Sequence, residues 1–518
     1  MAIVALALAG CGGGGGGSGG GGTTPPPPPP PTTYSIGGTV SGLTGTGLVL
    51  QDNGGDNLSV TANGAFTFAT KVDSGGAYAV TVLTQPSGQT CTVADGTGTT
   101  GSANVTNVAV NCTGGSASVG KFAYVANNGD GTIDAYTIDP NSGALTAVSG
   151  IPDGTAPAAV SLAPNGMFAF SASDNGTKIQ AFTIGSSGAL TLVGTYNTGF
   201  VNGSTYPDIA VDSQSAHLYL ASAGDNEVAG FAIDQSSGAL TPLTGSPYPA
   251  GAGASAIPAF SPNGKFLYVM DQSATVGTTE GNAVSGYSIG TDGSLTPIPG
   301  SPFAAGTGPT WISFTPDGNF AYVADTGEDA ISAYSVNTTT GALTPLSTPT
   351  YTTDEHPQDL TIDSSGQHLY APVANGSTAG AVQVFTINAD GALTAVGSTP
   401  AGVTPVFLDI DPTAAFAYVA SKDGAEVYGY SISSSTGALT ALSPSSFSTG
   451  TGSLPQFITI DPSGKFGYTA NEGTANISEF AIDQTTGDLN PIVGNATIPA
   501  GLKPIFVSIS PEAAGIRD

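Results

Sequence analysis

One histidine lies among carboxylates in a pattern that could support acid–base chemistry. His356 sits in the sequence Asp-Glu-His-Pro-Gln-Asp, residues 354–359. Carboxylates this close would orient an imidazole and stabilise its protonated form, which makes His356 a candidate general base for activating water. The alternative is a solvated turn histidine, hydrogen-bonded to Asp354 or Asp359.

Further carboxylates occur at related places in the chain. Asp208, Asp359 and Asp409 follow short proline-containing loops, and Asp271 and Asp325 end apolar runs. Several carboxylate oxygens around one opening could form an acidic funnel that binds Ca²⁺. The sequence has no contiguous calcium loop, zinc motif, nucleophile elbow or phosphate-binding loop. Calcium is therefore the one cofactor that the sequence leaves open, and no metal ligands are assigned.

The only tryptophan, Trp311, also follows one of these loops. Its indole could be a platform for a sugar ring or part of a core. Trp311, Asp208 and Asp409 are the candidate ligand-binding residues. His356, Asp359 and Asp325 are the candidate catalytic residues.

Short strands must position these side chains. Between Pro309 and Leu346 lie four apolar runs separated by turns rich in Gly, Asp and Asn, which predict four antiparallel strands. A Gly followed by Ala, Ser or Asp and then Leu recurs eight times, 45 to 55 residues apart, at Gly143, Gly188, Gly238, Gly293, Gly341, Gly391, Gly437 and Gly487. A period near 50 with four strands per repeat predicts an all-β fold, a β-propeller.

The phase of the repeat predicts how the ring closes. The first repeat begins at its second strand, Lys121–Ala126, and the chain ends on an extra first strand, Pro504–Ser510. We expect this strand to complete the first of eight blades, although seven are possible if one repeat packs outside the ring. Pro242, Pro297 and Pro345 place the fourth strand at the outer edge. The first strand should then line the channel, and the loops before it should surround one mouth.

The repeat resembles that of the β-propeller lactonase family, which includes 6-phosphogluconolactonases and carboxymuconate cyclases and is similar to YVTN-type surface propellers. The resemblance is carried by Phe-Ala-Tyr-Val-Ala at residues 320–324, Gly-Ala-Leu-Thr-Pro-Leu at 341–346 and Pro-Asp-Gly at 316–318, and it covers about residues 121–512. It implies lactone-ring hydrolysis at the channel mouth. The family's Asp-x-Gly-x-Asp turn matches Asp325, Gly327 and Asp329, and its Asn-Arg-Gly turn has Asn471-Glu472-Gly473 as nearest counterpart.

The number of basic residues limits the possible substrates, because binding a phosphorylated sugar requires cationic side chains. The only arginine is Arg517, and the lysines of the propeller are Lys121, Lys178, Lys265, Lys422, Lys465 and Lys503. This argues against a phosphorylated sugar. The first hypothesis is therefore a module that binds a small molecule, a glycan or a surface protein, and the alternative is a lactone-ring hydrolase.

The region before the propeller divides by composition. Residues 1–11 end in Leu-Ala-Gly-Cys, which resembles a bacterial lipoprotein signal with Cys11 as the lipidated residue; residues 12–33 are a Gly/Ser and polyproline linker. Residues 34–113 show seven alternating strands typical of a small β-sandwich, residues 114–120 form a linker, and residues 121–518 form the propeller. Cys91 and Cys112 are expected to pair in an exported protein.

Charge limits the partners. The chain carries 37 acidic and 8 basic residues, a net charge of −29. Nucleic acid and anionic membrane surfaces would repel it, so contact with a membrane is expected only through the lipid anchor. We expect a lipid-anchored protein of the bacterial envelope, at the outer membrane or cell surface.

Overall fold

The computed structural model describes residues 32–41, 43, 48–60, 63–84, 90–113, 121–148, 150–152, 156–203, 207–253, 258–272, 282–374, 376, 378–492 and 497–510. The predicted leader with Cys11 and the linker at residues 114–120 lie outside these residues. Within them, all regular structure is β-strand. No helix of the described residues could span a membrane.

Strands between residues 33 and 113 form two four-stranded sheets and a two-stranded ribbon. One sheet runs Gly64–Thr67, Ile36–Ser41, Val105–Thr113, Thr90–Ala94; the other runs Asp56–Val60, Leu48–Asp52, Ala77–Thr84, Thr97–Thr99; and the ribbon pairs Thr33–Tyr34 with Val72–Asp73. Ile36, Leu50 and Val108 are buried in one core between the sheets. Cys91 and Cys112 face each other on adjacent strands and form the predicted disulfide. The expected β-sandwich is confirmed.

The rest of the chain forms eight antiparallel sheets, which we call blades 1 to 8 and give from the inner to the outer strand. Blade 1 is Pro504–Ser510, Phe122–Asn127, Thr132–Ile138, Leu145–Ala147, with Ile151–Pro152; blade 2 is Pro157–Leu162, Phe168–Ser173, Lys178–Ile184, Leu190–Asn197; blade 3 is Ile209–Val211, His217–Ser222, Glu227–Ile233, Leu240–Pro242, with Tyr248–Pro249; blade 4 is Ala259–Phe260, Phe266–Asp271, Ala283–Ile289, Leu295–Pro297, with Phe303–Ala304.

Blades 5 to 8 repeat the order. Blade 5 is Pro309–Phe314, Phe320–Asp325, Ala330–Val336, Leu343–Thr352; blade 6 is Thr361–Ile362, His368–Val373, Ala379–Ile387, Leu393–Val403; blade 7 is Pro405–Ile410, Phe416–Ser421, Glu426–Ile432, Leu439–Ser448; blade 8 is Pro455–Ile460, Phe466–Asn471, Asn476–Ile482, Leu489–Pro491, with Thr497–Pro499. The fourth strand is outermost in every blade, as the prolines predicted.

The ring closes through the last strand of the chain. Pro504–Ser510 pairs with Phe122–Asn127 of blade 1, which confirms the predicted closure. Eight apolar clusters lie between neighbouring blades, including one between blades 8 and 1 around Phe466, Tyr468 and Val125. All eight repeats therefore pack into one closed ring, and no free sheet edge remains at the junction of the chain ends.

The repeated Gly-x-Leu signature has a packing cause. Each signature glycine has a positive φ, and a Cβ there would overlap the aromatic ring that starts the second strand of the preceding blade, for example Phe466 under Gly143. Two residues further on, the Tyr468 hydroxyl donates to the Gly143 carbonyl at 2.6 Å. The same tyrosine contact links six of the eight blade pairs. This contact explains why the aromatic strand and the glycine turn recur together.

His217 and His368 occupy the aromatic position of this contact. His217 lies under Gly293 and His368 under Gly437, where the other six blades have phenylalanine. Both histidines therefore have a structural role in the contact between blades, and His368 is only 3% exposed.

Candidate functional site

One end of the ring collects the predicted site residues. Each second strand ends where the inner strand of its own blade begins: Pro309 pairs with Asp325, and Pro405 pairs with Ser421. The loops before the inner strands and the turns after the second strands therefore lie at the same end, which we call the mouth. His356 belongs to a mouth loop and Asp329 to a mouth turn.

The side chains of His356 and Asp329 meet between blades 6 and 5. His356 Nδ1 lies 2.6 Å from Asp329 Oδ1, and the side chains are 37% and 47% exposed. The two atoms are not aligned as a hydrogen bond, so the contact is electrostatic. His356 Nε2 has no hydrogen-bond partner among the described residues. The partner expected from the sequence, Asp354 or Asp359, is wrong, because the loop aims the ring at blade 5.

The His356 loop is fixed by backbone contacts on both sides. The His356 carbonyl accepts from Ala374 N at 3.1 Å, and the Pro357 carbonyl accepts from the Thr326 hydroxyl at 2.8 Å. On the other side of the pair, the Asp329 carbonyl accepts from Thr353 N at 2.8 Å. The imidazole and the carboxylate are therefore held on two anchored segments, as a preorganised catalytic pair requires.

A cleft of about 420 Å³ lies beside this loop. Two carboxylates, Asp354 and Glu355, line it together with Val373, Ala379, Gly380, Ala381, Ser398 and Pro400. The cleft joins hydrogen-bond acceptors to an apolar wall. Its size falls in the range typical of small-molecule sites, about 300–1,000 Å³.

Asp359 and Asp409 lie deeper: Asp359 comes just before the inner strand of blade 6, and Asp409 is on the inner strand of blade 7. Asp359 is fully buried, and its Oδ2 accepts from the Thr361 hydroxyl at 3.2 Å; Asp409 Oδ2 accepts from Ile460 N at 2.8 Å. Burial raises the pKa of each carboxyl to about 7, against the opposing effect of these hydrogen bonds. The negative charge of Asp409 also raises the pKa of Asp359. Both carboxyls can therefore hold a proton near neutral pH, although neither contacts His356.

An aromatic row crosses the channel at the level of Asp359. Ring centroids of Trp311 and Phe407 are 5.2 Å apart, those of Phe407 and Phe457 are 4.3 Å apart, and those of Phe457 and Phe506 are 5.0 Å apart. Trp311 is 8% exposed, so most of its indole is packed in the core. The three phenylalanines are partly exposed. They present an apolar surface inside the channel.

Asp325 does not face the mouth. Its side chain is fully buried inside blade 5, and its Oδ2 accepts from the Ser332 hydroxyl at 2.6 Å. Asp271 makes the same contact with Ser285 in blade 4, at 2.8 Å. Asp325 therefore packs inside the strand end that precedes the Asp329 turn, and it does not join the pair with His356.

The acidic funnel expected from the sequence does not form with the predicted set of carboxylates. Asp271 and Asp325 point into their blades, and Asp208 accepts from the Ser161 hydroxyl at 3.1 Å. In the described ranges, no three His, Cys, Asp or Glu side chains come together as a potential metal site. Calcium binding stays a prediction from the sequence.

Sequence reasoning missed a polar group at the mouth of blades 7 and 8. Gln456 Nε2 donates to Glu472 Oε2 at 2.6 Å, and Lys422 Nζ lies 3.6 Å from the same oxygen. It also missed the phenylalanine row. A signal existed, because Pro-x-Phe opens three successive inner strands, at residues 405–407, 455–457 and 504–506.

Comparison with known proteins decides the family. The profile of the family described as "Lactonase, 7-bladed beta-propeller" matches residues 65–384 and 284–451, which together are most of the chain. The chain belongs to this lactonase family. This lactonase-family ring has eight blades, one more than the family description states.

Proteins similar to this lactonase-family chain include a 6-phosphogluconolactonase and a gluconolactonase. A 6-phosphogluconolactonase of Bacillus subtilis (strain 168) is 29% identical over 323 residues, 56% of this chain and 87% of the relative. Two solved structures share the fold: a Bacteroides fragilis protein for which 6-phosphogluconolactonase activity has been suggested (TM-score 0.51, 18% identity, 76% of this chain and 98% of that one), and the Pseudomonas aeruginosa periplasmic gluconolactonase (TM-score 0.50, 16% identity, 75% and 98%).

Proposed function

We propose that this chain hydrolyses lactone rings at the mouth, with His356 as general base and Asp329 as the group that stabilises the imidazolium. The 2.6 Å contact between His356 Nδ1 and Asp329 Oδ1 carries the proposal. A carboxylate beside one ring nitrogen leaves the other nitrogen available to take a proton from water.

The repeat itself shows that this pair is not needed to build the mouth. Asp329 is the positive-φ residue of its turn, and His356 directly precedes the inner-strand proline. The same two positions hold Ala425 and Leu454 between blades 7 and 8, and Ala475 and Lys503 between blades 8 and 1. Those blade pairs fold without a histidine–carboxylate contact there. The contact between blades 5 and 6 therefore points to chemistry rather than to folding.

The proposed reaction is simple hydrolysis. Water attacks the lactone carbonyl carbon while His356 Nε2 takes one of its protons. The bond between the carbonyl carbon and the ring oxygen then breaks, and the imidazolium returns the proton to that oxygen. The product is the open hydroxy acid. Asp329 contributes because its attraction to the ring grows when the imidazole becomes charged.

The cleft supports the proposal as a place for the substrate, because Glu355, which lines it, directly precedes His356 in the chain. Asp354 and Glu355 offer acceptors for hydroxyl groups, and Val373, Ala381 and Pro400 offer an apolar wall. A monosaccharide-sized lactone fits such a mixture of surfaces. An anionic phosphate does not fit, because the charged side chains that line the cleft, Asp354 and Glu355, are both carboxylates.

The test is hydrolysis of a panel of sugar, aliphatic and phosphorylated lactones by the purified full-length chain, measured above the spontaneous rate. We expect turnover of at least one unphosphorylated lactone and a loss of roughly 100-fold or more in His356→Ala, the usual size of a general-base contribution. Turnover that survives in His356→Ala, or no turnover of any lactone, would overturn the proposal.

A binding module without turnover is the second candidate. The partly exposed row of Phe407, Phe457 and Phe506 favours it, because aromatic faces inside a channel can hold a ring ligand without any chemistry. Calorimetry with the same lactones and their hydroxy acids distinguishes the candidates. Saturable binding with no hydrolysis would support the module, and hydrolysis would replace it.

We further propose that the chain is a lipid-anchored protein of the bacterial envelope. The apolar run that ends in Cys11 supports the anchor, and the disulfide between Cys91 and Cys112 supports an oxidising compartment. Metabolic labelling with palmitate should mark the wild type and not Cys11→Ser. Equal labelling, or no labelling of either form, would contradict the anchor.

A further inference from the structure

Among the described strands, the outer strand of blade 2 is the one long edge of the ring that no proline interrupts. Leu190–Asn197 has eight residues, Leu-Thr-Leu-Val-Gly-Thr-Tyr-Asn. In the seven other blades, the outer strand or the short strand that follows it contains a proline: Pro152, Pro242, Pro297, Pro345, Pro400, Pro444 and Pro491. Proline has no N–H to give to a ladder, so it hinders a further strand from pairing at that edge. Blade 2 lacks this protection.

Blade 6 offers a matched comparison, because its outer strand follows the same register. Leu192 of blade 2 corresponds to Ala395 of blade 6, and Asn197 corresponds to Pro400. Both strands also have a bulge at the same step of the ladder. The blade 6 edge therefore has a proline and a small side chain where the blade 2 edge has a backbone donor and a leucine.

The ladder of blade 2 shows which backbone groups of its outer strand face outward. Thr198 N donates to the Thr177 carbonyl at 3.1 Å, so these two residues form a hydrogen-bonded pair. Hydrogen-bonded and non-hydrogen-bonded pairs alternate along an antiparallel ladder, so Thr195 and Asn197 direct their N–H and carbonyl groups away from the blade. Within the described residues, no strand pairs with this outer side. A further strand can therefore hydrogen-bond there.

Three large apolar side chains are exposed on this strand and near it in the chain. Leu192 lies on the strand and is 50% exposed. Met167, directly before the second strand of the same blade, is 45% exposed, and Val201, four residues after the outer strand, is 83% exposed. Exposed apolar side chains that gather on one part of a protein are typical of a surface that contacts another protein.

Blade 2 is also the blade without net charge. From its inner to its outer strand, residues 157–197, it contains one acidic and one basic side chain, Asp174 and Lys178. In each of the other seven blades, acidic residues outnumber basic ones. Two copies of a chain with a net charge of −29 repel each other at such surfaces, and the repulsion is smallest where both copies present blade 2.

We infer that two copies of this chain pair through blade 2 of each copy, with Leu190–Asn197 of one copy antiparallel to the same strand of the other. A two-fold contact presents one surface to itself, so that surface must be its own complement. This strand meets the condition because outward N–H and carbonyl groups recur along it and it has no charged residue and no proline. The two four-stranded blades then form one continuous sheet. The dimer does not depend on the proposed hydrolysis.

The test is sedimentation equilibrium of the purified full-length chain and three variants between about 1 and 100 µM, the range that detects a micromolar dimer. We expect the wild type to dimerise. Leu192→Glu should raise the dissociation constant at least about 100-fold, because each copy brings a like charge into the contact. Asn197→Pro should raise it about 10- to 100-fold, because each copy loses one hydrogen bond. The matched control Ala395→Glu adds the same charge at the equivalent position of blade 6 and should change it less than about twofold.

Both edge variants should keep the fold, because Leu192 is half exposed and blade 6 folds with proline at the position of Asn197. Melting curves check this, and Asn197→Pro alone decides if Leu192→Glu does not fold. A wild type that stays monomeric throughout the range would overturn the inference and leave the edge to an extended segment of a different protein.

Two further results would also overturn the paired edges. A dimer that persists unchanged in both edge variants would show association through another surface, such as the apolar leader. Equal weakening by Ala395→Glu would show that added negative charge weakens the dimer wherever it is placed.

Discussion

Three histidine–aspartate pairs occur in this chain, and they lie at opposite ends of the ring. His217 Nδ1 is 2.8 Å from Asp212 and His368 Nδ1 is 2.7 Å from Asp363, both at the end away from the mouth. His356 Nδ1 is 2.6 Å from Asp329, at the mouth. The chemical groups and the distances are nearly the same, so the pair by itself does not identify a catalytic site.

What separates the pairs is whether the fold already uses them. Asp363 Oδ1 accepts from backbone nitrogens, including that of Gln367 at 3.1 Å, and the His368 ring fills a position that is phenylalanine in six blades. Among the described residues, the Asp329 side chain has no hydrogen bond or charged partner other than His356, and equivalent turns fold with alanine. Equivalent positions in a repeat protein can thus be compared with one another. A side chain that other repeats replace without loss of the fold is a candidate for function.

The largest expected effect tests the structural pair. His368→Ala should remove the ring under Gly437 and leave the Asp363 carboxylate unpaired, lowering the free energy of unfolding by about 3 kcal/mol. His368→Phe should recover more than half of that loss, because phenylalanine occupies the position in other blades. Urea unfolding measures both variants. Equal destabilisation by the two would show that the ion pair, not the ring, is what the fold requires.

The next largest effect is expected from substitution of Asp329, the acidic member of the mouth pair. Asp329→Asn should lower kcat by about 10- to 100-fold, because the imidazolium loses a stabilising charge, with little change in KM. The turn should persist, since Asn226 holds the equivalent position in blade 3 with a φ of 55°. Steady-state kinetics and a melting curve check both statements. An unchanged kcat at unchanged stability would remove Asp329 from the proposed mechanism.

The smallest expected effect concerns Asp359, a buried carboxyl of the channel that the proposed mechanism does not use. Burial raises the pKa of Asp359 to about 7, above the value of an unfolded aspartate, so the folded state binds this proton more tightly between about pH 4 and pH 7. Stability from this group is therefore present at low pH and is lost as pH rises toward 7. Asp359→Asn should make the pH dependence of the unfolding free energy shallower by up to about 1.4 kcal/mol per pH unit in that range.

Urea unfolding at several pH values measures this difference in slope. Asp208→Asn is a suitable control, because Asp208 directly precedes the inner strand of blade 3 and remains partly exposed. Parallel pH profiles for wild type and Asp359→Asn would show that Asp359 is ionised in the folded protein throughout the range.

The fold could be predicted from the sequence because the repeated residues are the ones that make the contacts between blades. The signature glycines and the second-strand residues on which they pack form the contact between blades, so the eightfold recurrence of both motifs predicted eight blades. The phase of the repeat predicted the closing strand Pro504–Ser510. The seven predicted sandwich strands are all present. Three further strands were missed, because they are only two or three residues long and carry no apolar alternation: Thr33–Tyr34, Val72–Asp73 and Thr97–Thr99.

The candidate site could be predicted from the sequence only in part. His356 was found because it is a rare residue in a mouth loop, but its partner was not, because loop direction depends on contacts such as that between Ala374 N and the His356 carbonyl. Asp325 was placed at the mouth on its position in the turn, whereas its side chain points into the blade. Lys422 and Glu472 lie 50 residues apart in the chain, and only the ring brings them together.

The most direct test of the account measures lactone hydrolysis by three variants in one assay: His356→Ala, His217→Phe and His368→Phe. The account predicts that only His356→Ala loses turnover, by about 100-fold or more, and that the other two keep wild-type kcat within about twofold per folded molecule. Comparable losses in all three variants, or full activity in His356→Ala, would contradict the claim that the mouth pair carries the chemistry.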